Sequence, residues 1–398
     1  SGSGIYAYHG AISVTGAVVT DCSYGMRVGN TASQLPLATP LVIRSSTITI
    51  PPGANYGIYA TGNDRADLEL VGNTVTGPSI SGAIYTDPWS DLPRLIIDSN
   101  TVDGALGTGI LARDADTVRM RWNTVTNLGP GSSTAGGATA ILLAQSDAAD
   151  AIAEVRGNRV TGGTGSGIRL YRSVSTDTVT VIVDSNVVQG VDSMGIWVSY
   201  YSRAQITRNA IDGVGLDAVY VDRSSNDSAA FAINNNNFTN SGRYGVYNRD
   251  AVTADASNNW WNDAAGPSGF YGNPQGLSTG DSVSANVGWS PYLESPEGSA
   301  PTPAPPAILA AIRARAASMS PAPADATAVA SEAQAEPDDE LAARLRAYQE
   351  LRDTKVAERA ERDARVRASR AEADAERAAL RQEAQRRRAE ALARGGGQ

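Results

Sequence analysis

The sequence predicts an all-β fold, a right-handed parallel β-helix of about ten coils, over residues 1–293. Three observations predict it. A motif Asn-x-(Val/Ile)-x-(Gly/Asn) recurs at a spacing of about 26 residues. A second motif places one apolar residue after a small one at the same period. Between them run brief alternating segments such as LIIDSNTV and VTVIVDSNVV, bounded by Gly, Asn, Asp and Ser, too short and too glycine-rich for helices.

The Asn motif starts at Asn73, Asn100, Asn123, Asn158, Asn186 and Asn209, with a looser copy at Asn236 and a last one at Asn258. The apolar residue of the second motif falls at Ile58, Ile84, Ile110, Ile141, Ile168, Ile196, Val219 and Val246, and Ile5 and Met26 extend the series forward. A unit this short cannot bury an apolar face alone. Stacked about 4.8 Å apart, such units share one core. The repeating Asn is expected to bond its equivalents in the neighbouring coils as an amide ladder at a turn. The repeat glycines are expected to supply positive φ or tight turns. An antiparallel sandwich or a propeller also yields many short strands, but a propeller blade needs about 40 residues.

Composition divides the 398-residue chain near Ser299. All six Trp and 37 of the 40 Gly precede it, which marks a domain boundary there. The body is acidic, with a net charge of −10 over residues 1–298, whereas the remainder is almost neutral. An acidic body repels phosphate backbones, so no nucleic-acid partner is expected; cations, or sugars held by stacking and hydrogen bonds, suit it better. A single Cys (Cys22) excludes an internal disulfide. His9 is the one histidine and Lys355 the one lysine. No apolar run approaches the ~18–20 residues of a membrane span. The opening SGSGIYAYHG matches the interior GTGSGIRLYR, so the start is expected to cut through a longer protein.

The segment Asn258 to Leu293, NNWWNDAAGPSGFYGNPQGLSTGDSVSANVGWSPYL, carries a resemblance. Together with the repeat, it resembles the right-handed parallel β-helix repeat proteins of bacteria, of the pectate-lyase-like and NosD-like secreted or surface type. It is similar to the NNWWGD-x-SGP … GD-x-V … SP-(W/Y)-L ending of that group. It departs at Asn262, where the ending has Gly, and at Ala265, where it has Ser. The resemblance implies an extracellular, cell-surface or periplasmic protein. Physically, residues 258–293 are expected to cap the last coil, whose core and strand edges would otherwise lie open, with Trp260, Trp261 and Trp289 large enough to cover it.

Residues 294–337 are rich in Pro and Ala and are expected to be a disordered linker. Residues 338–394 contain no Gly or Pro and predict a charged α-helix. It stands either as a single helix held by Glu–Arg pairs or as a weak coiled coil, through which the chain would form a homo-oligomer. Residues 395–398 are expected to be a flexible end.

Chemistry is expected on the outer face of the strands, because alternate residues point outward. One position after each inward apolar residue come Tyr59, Tyr85, Leu111, Leu142, Arg169, Trp197, Tyr220 and Tyr247, preceded by Tyr6 and Arg27. Aromatic faces suit the apolar C–H faces of sugars, although aromatics also simply favour strands. The candidate carbohydrate-binding residues are Tyr59, Tyr85, Tyr171, Trp197, Tyr220 and Tyr247. A second outward column runs Thr61, Asp87, Arg113, Ala144, Tyr171, Ser199, Asp222 and Arg249. Asp87 with Arg113 and Asp222 with Arg249 are candidate ion pairs, grips for a uronate, and the candidates if any catalysis occurs. Loop carboxylates, with Asp114, Asp116 and Asp147 as candidates, offer oxygen ligands to Ca²⁺, the one cofactor considered; solvated turn residues are the plainer reading.

The leading expectation is a non-catalytic surface or secreted protein, an adhesin or scaffold that binds polysaccharide or a cell-surface glycan. The resemblance also implies polysaccharide lyase or hydrolase activity on acidic glycans, but the body lacks Lys, R-x-P-x-x-R and Asp-Pro-His. A fibre or surface-layer subunit is the third reading.

Overall fold

The computed structural model describes residues 2–8, 12–29, 41–61, 67–79, 81–87, 92–129, 138–145, 152–172, 180–199, 203–222, 230–269 and 278–302. Every regular element among them is a β-strand. The strands form a first sheet of ten, a second of eleven and a third of nine. Up to the cap, each sheet takes every third strand in chain order. One coil therefore contributes one strand to each sheet, and successive coils stack in parallel, as a β-helix requires. No helix among the described residues is long and apolar enough to cross a membrane.

The apolar period sets the core. In the first sheet Met26, Ile58, Ile84, Ile110, Ile141, Ile168, Ile196, Val219 and Val246 stand in unbroken register, each fully buried. The second sheet adds Ile43, Leu70, Ile97, Met120, Val155, Val183, Ile206 and Ile233. The third adds Ile48, Val75, Val102, Val125, Val160, Val188, Ile211 and Phe238. Each such side chain contributes about 1.5–3 kcal/mol by leaving water, which no coil could collect alone.

The turn from the second sheet to the third is where the Asn motif acts. A residue in the left-handed region, such as Ser99 (φ 56°), reverses the chain, and the next residue is the buried Asn. Asn100 accepts at its oxygen from the backbone N–H of Asn73 (3.0 Å) and from Asn73 Nδ2 (3.0 Å). Its own Nδ2 donates to Leu70 O (2.8 Å) and onward to Asn123 (3.0 Å). The same pattern links Asn123, Asn158, Asn186, Asn209, Asn236 and Asn259. The ladder thus ends at Asn259, one residue beyond the motif copy placed at Asn258. Asn258 instead takes the left-handed turn position (φ 54°).

Where glycine rather than Ala (Ala83, Ala140, Ala218) precedes the inward apolar residue, it serves close approach. At Gly57 a Cβ would lie 2.7 Å from Ala83 O and 2.3 Å from a Val75 methyl. Positive φ belongs to a different set, including Gly72 in the second turn.

The last coil packs against residues of the Trp-rich ending. Trp261 is fully buried and packs on Phe238, ring centroids 5.2 Å apart; Trp289 lies 5.8 Å from Tyr292. Beyond it, Glu297 donates its N–H to Asn237 Oδ1 (2.6 Å) and Thr302 O accepts from Arg159 (3.4 Å), so residues 294–302 run back along the third sheet. The rest of the expected linker, the expected helix 338–394 and any self-association through it lie outside the described residues.

Candidate functional site

The first sheet carries the outward column in full register: Tyr6, Arg27, Tyr59, Tyr85, Leu111, Leu142, Arg169, Trp197, Tyr220 and Tyr247 are consecutive partners across the coils. Strand pairing holds such side chains about 4.8 Å apart, close enough to stack. Leu111 is the exception in exposure, being 5% accessible.

The column separates into two aromatic clusters. In the first, Tyr59 stacks on Tyr85 (centroids 5.7 Å, 21°). Tyr56 packs on both, at 5.0 and 4.8 Å, and Tyr24 on Tyr56 at 5.6 Å. The Arg27 guanidinium sits 5.6 Å from the rings of Tyr24 and Tyr59. In the second, Tyr220 stacks on Tyr247 (5.4 Å, 26°), with Trp197 5.8 Å from Tyr220 and Tyr244 5.2 Å from Tyr247. Tyr24, Tyr56 and Tyr244 were not among the sequence candidates. The signal was present: Tyr-Gly-apolar-(Arg/Tyr) occurs at Tyr24, Tyr56 and Tyr244 alike, and each of these Tyr stands at the same register position of the first sheet.

The second column holds both expected ion pairs. Arg113 Nη1 donates to Asp87 Oδ1 (2.8 Å) and Arg249 Nη1 to Asp222 Oδ1 (3.0 Å). A tyrosine hydroxyl joins each: Tyr59 to Asp87 (3.5 Å) and Tyr220 to Asp222 (3.2 Å). Burial disfavours the charge on Arg113, yet the Asp87 hydrogen bond and nearby charges outweigh it and push the pKa up. Hydrogen bonds to Tyr220 and Asp222 push Arg249 up. Burial, then the Asp222 charge, raise the Tyr220 phenol. The column is not outward throughout: Thr61 and Ser199 are buried, 1% and 0% accessible. Thr61 Oγ1 turns to Val28 O (3.5 Å), since the small residue fits between coils where a longer one must leave.

Arg169 differs from its neighbours. Its guanidinium lies over the Trp197 indole at 3.9 Å and 5.6 Å from the Tyr171 ring. Tyr171 stands in the second column between Ala144 and Ser199. Arg243, by contrast, lies over Tyr247 (4.8 Å) and is held in two hydrogen bonds by the fully buried Asp217.

Asp114 (φ 39°) and the exposed Asp116 flank the buried Ala115; Asp147 lies outside the described residues. Among the described residues no three His, Cys, Asp or Glu side chains gather as a metal set.

Half-buried ring faces and fixed guanidinium edges in a repeating row can bind an extended polar polymer with apolar faces. A family model described as "Right handed beta helix region" matches residues 3–180 and, in an overlapping second copy, 97–261. No curated protein and no solved structure matches the chain.

Proposed function

The chain belongs to the right handed beta helix region family, and from that premise we propose that it works outside the cytoplasm, secreted or on a cell surface, and holds a polysaccharide along its first sheet without cutting it. The observation that carries this reading is the row of aromatic rings in register, Tyr59–Tyr85 at one end and Trp197–Tyr220–Tyr247 at the other. Tyr and Trp rings offer rigid apolar area with polar rims, which matches a sugar ring. Binding of the protein to an array of neutral and acidic polysaccharides tests the reading. Trp197→Ala with Tyr220→Ala should weaken binding about tenfold or more without unfolding the stack. Absence of binding to every polymer at high protein concentration rejects it.

A second reading, polysaccharide lyase or hydrolase, is favoured by one observation: two sets of carboxylate, guanidinium and tyrosine hydroxyl recur at Asp87–Arg113–Tyr59 and Asp222–Arg249–Tyr220. Against it, a phenol raised by burial and a neighbouring carboxylate is a poor base. New unsaturated or reducing ends from pectin or alginate, lost in Arg249→Ala, would favour it over simple binding.

A further inference from the structure

We propose that Arg169, mounted on Trp197 beside Tyr171, is an anion subsite that takes the carboxylate of a uronic acid residue in the bound polysaccharide. The proposal rests on the glycan-binding reading above and names the ligand class within it. Three observations lead to it. First, three other arginines of this face, Arg113, Arg243 and Arg249, are each committed to an aspartate, and Arg27 lies among the rings of Tyr6, Tyr24 and Tyr59. Arg169 makes no hydrogen bond or ion pair with any described residue, and its Nε is buried without an acceptor. Second, the indole takes the flat face of the guanidinium at 3.9 Å. Stacking of that kind uses the face and leaves the edge N–H groups free for a planar, two-pronged acceptor. The Nη groups, with no partner among the described residues, are open to solvent. Third, position places it between the clusters: Leu142 precedes it and Trp197 follows it in register. A sugar lying across the outer edges of Trp197 and Tyr220 therefore has its substituents within reach of this cation.

The surroundings leave the charge uncompensated. Burial lowers the Arg169 pKa, and nearby Tyr171 and Asp222 only partly oppose it. An arriving carboxylate supplies the missing counter-charge, and charge-assisted bonds of this kind are the strong ones. The body's net negative charge acts on the polymer from beyond a Debye length of about 8 Å for most of its groups, whereas this contact is direct.

The test compares polygalacturonate with its fully methyl-esterified form, which keeps the sugar and removes the charge, for the wild-type protein and Arg169→Gln. The expected result is tighter binding of the acid by roughly tenfold or more, a preference that Arg169→Gln abolishes while binding of the ester is unchanged. Arg169→Lys, which keeps the charge but loses the fork and the stack, should restore only part of it. Equal binding of acid and ester, unchanged by Arg169→Gln, overturns the subsite and leaves the glycan reading standing. Binding of neither polymer, nor of any other, overturns both. Arg169-dependent binding of a sulfated galactan but not of polygalacturonate overturns the carboxylate assignment. Thermal unfolding of Arg169→Gln within a degree or two of wild type shows that the variant reports on binding.

Discussion

Asn123 and Asn158, thirty-five positions apart in sequence, share one oxygen: Asn158 Oδ1 accepts both the backbone N–H of Asn123 (3.0 Å) and its Nδ2 (2.9 Å). This interval is the longest between neighbouring ladder positions, and the ladder runs on through it to Asn186. Asn158→Ala removes that acceptor and the bond from its own Nδ2 to Met120 O. With buried groups left unpaired, the loss should be about 3 kcal/mol or more, read as a lower midpoint in chemical denaturation.

Gly57→Ala should destabilise the stack by about 1–3 kcal/mol, since the added Cβ meets a backbone carbonyl as well as a buried Val75 methyl. Gly53→Ala is the control. Its surroundings are open but its φ is 84°, so it should cost only about 1 kcal/mol, from the strain of a left-handed Ala. Denaturant midpoints of the two variants separate crowding from backbone strain.

Asp281 in the cap is raised to about 6, because burial and then the Asp212 charge disfavour its carboxylate more than the bonds from Ser241 favour it. A folded value above the usual 3.8 means that the contribution is fully present below pH 3.8 and is lost as pH rises through 6. Asp281→Asn should therefore stabilise the protein by about 2 kcal/mol at pH 7.5 and give no gain at pH 3.5. Thermal melts across that range check the sign.

Asp184 behaves in the opposite sense. Burial raises it, but hydrogen bonds from Arg208 (2.7 Å), Arg156 (2.6 Å) and Thr207 (3.0 Å) prevail and hold it below the usual value. Its contribution is present above pH 3.8 and falls away as pH drops through the folded value. Asp184→Asn should cost about 2 kcal/mol at pH 7, with the difference from wild type shrinking toward pH 2.

The register of the fold was legible because burial forces it: every apolar residue chosen by period lies in one inward column. The single slip, Asn258 for Asn259, arose where two Asn adjoin; one suits a left-handed turn and the other a buried amide, and the letters alone do not say which. The aromatic row was legible from alternation. Tyr56 and Tyr244 stand three residues before their partners, outside that alternation, and only the recurring Tyr-Gly-apolar-(Arg/Tyr) pattern marks them. Arg169 could be placed in the column, but that its neighbours Arg113 and Arg249 are neutralised and it is not depends on which carboxylates fall in the next coil. Thr61 and Ser199 show the limit of alternation, since side-chain length decides whether a second-column residue emerges.

The backbone bonding between coils gives the outer face a property independent of its side chains. Turn lengths vary from coil to coil, yet the strands of the first sheet keep one constant interval, about 4.8 Å. The surface is thus a graduated scale. Point changes can rewrite what is marked at each division, and insertions can lengthen the turns, while the divisions themselves stay put. A periodic ligand that fits one division is carried in phase to the next.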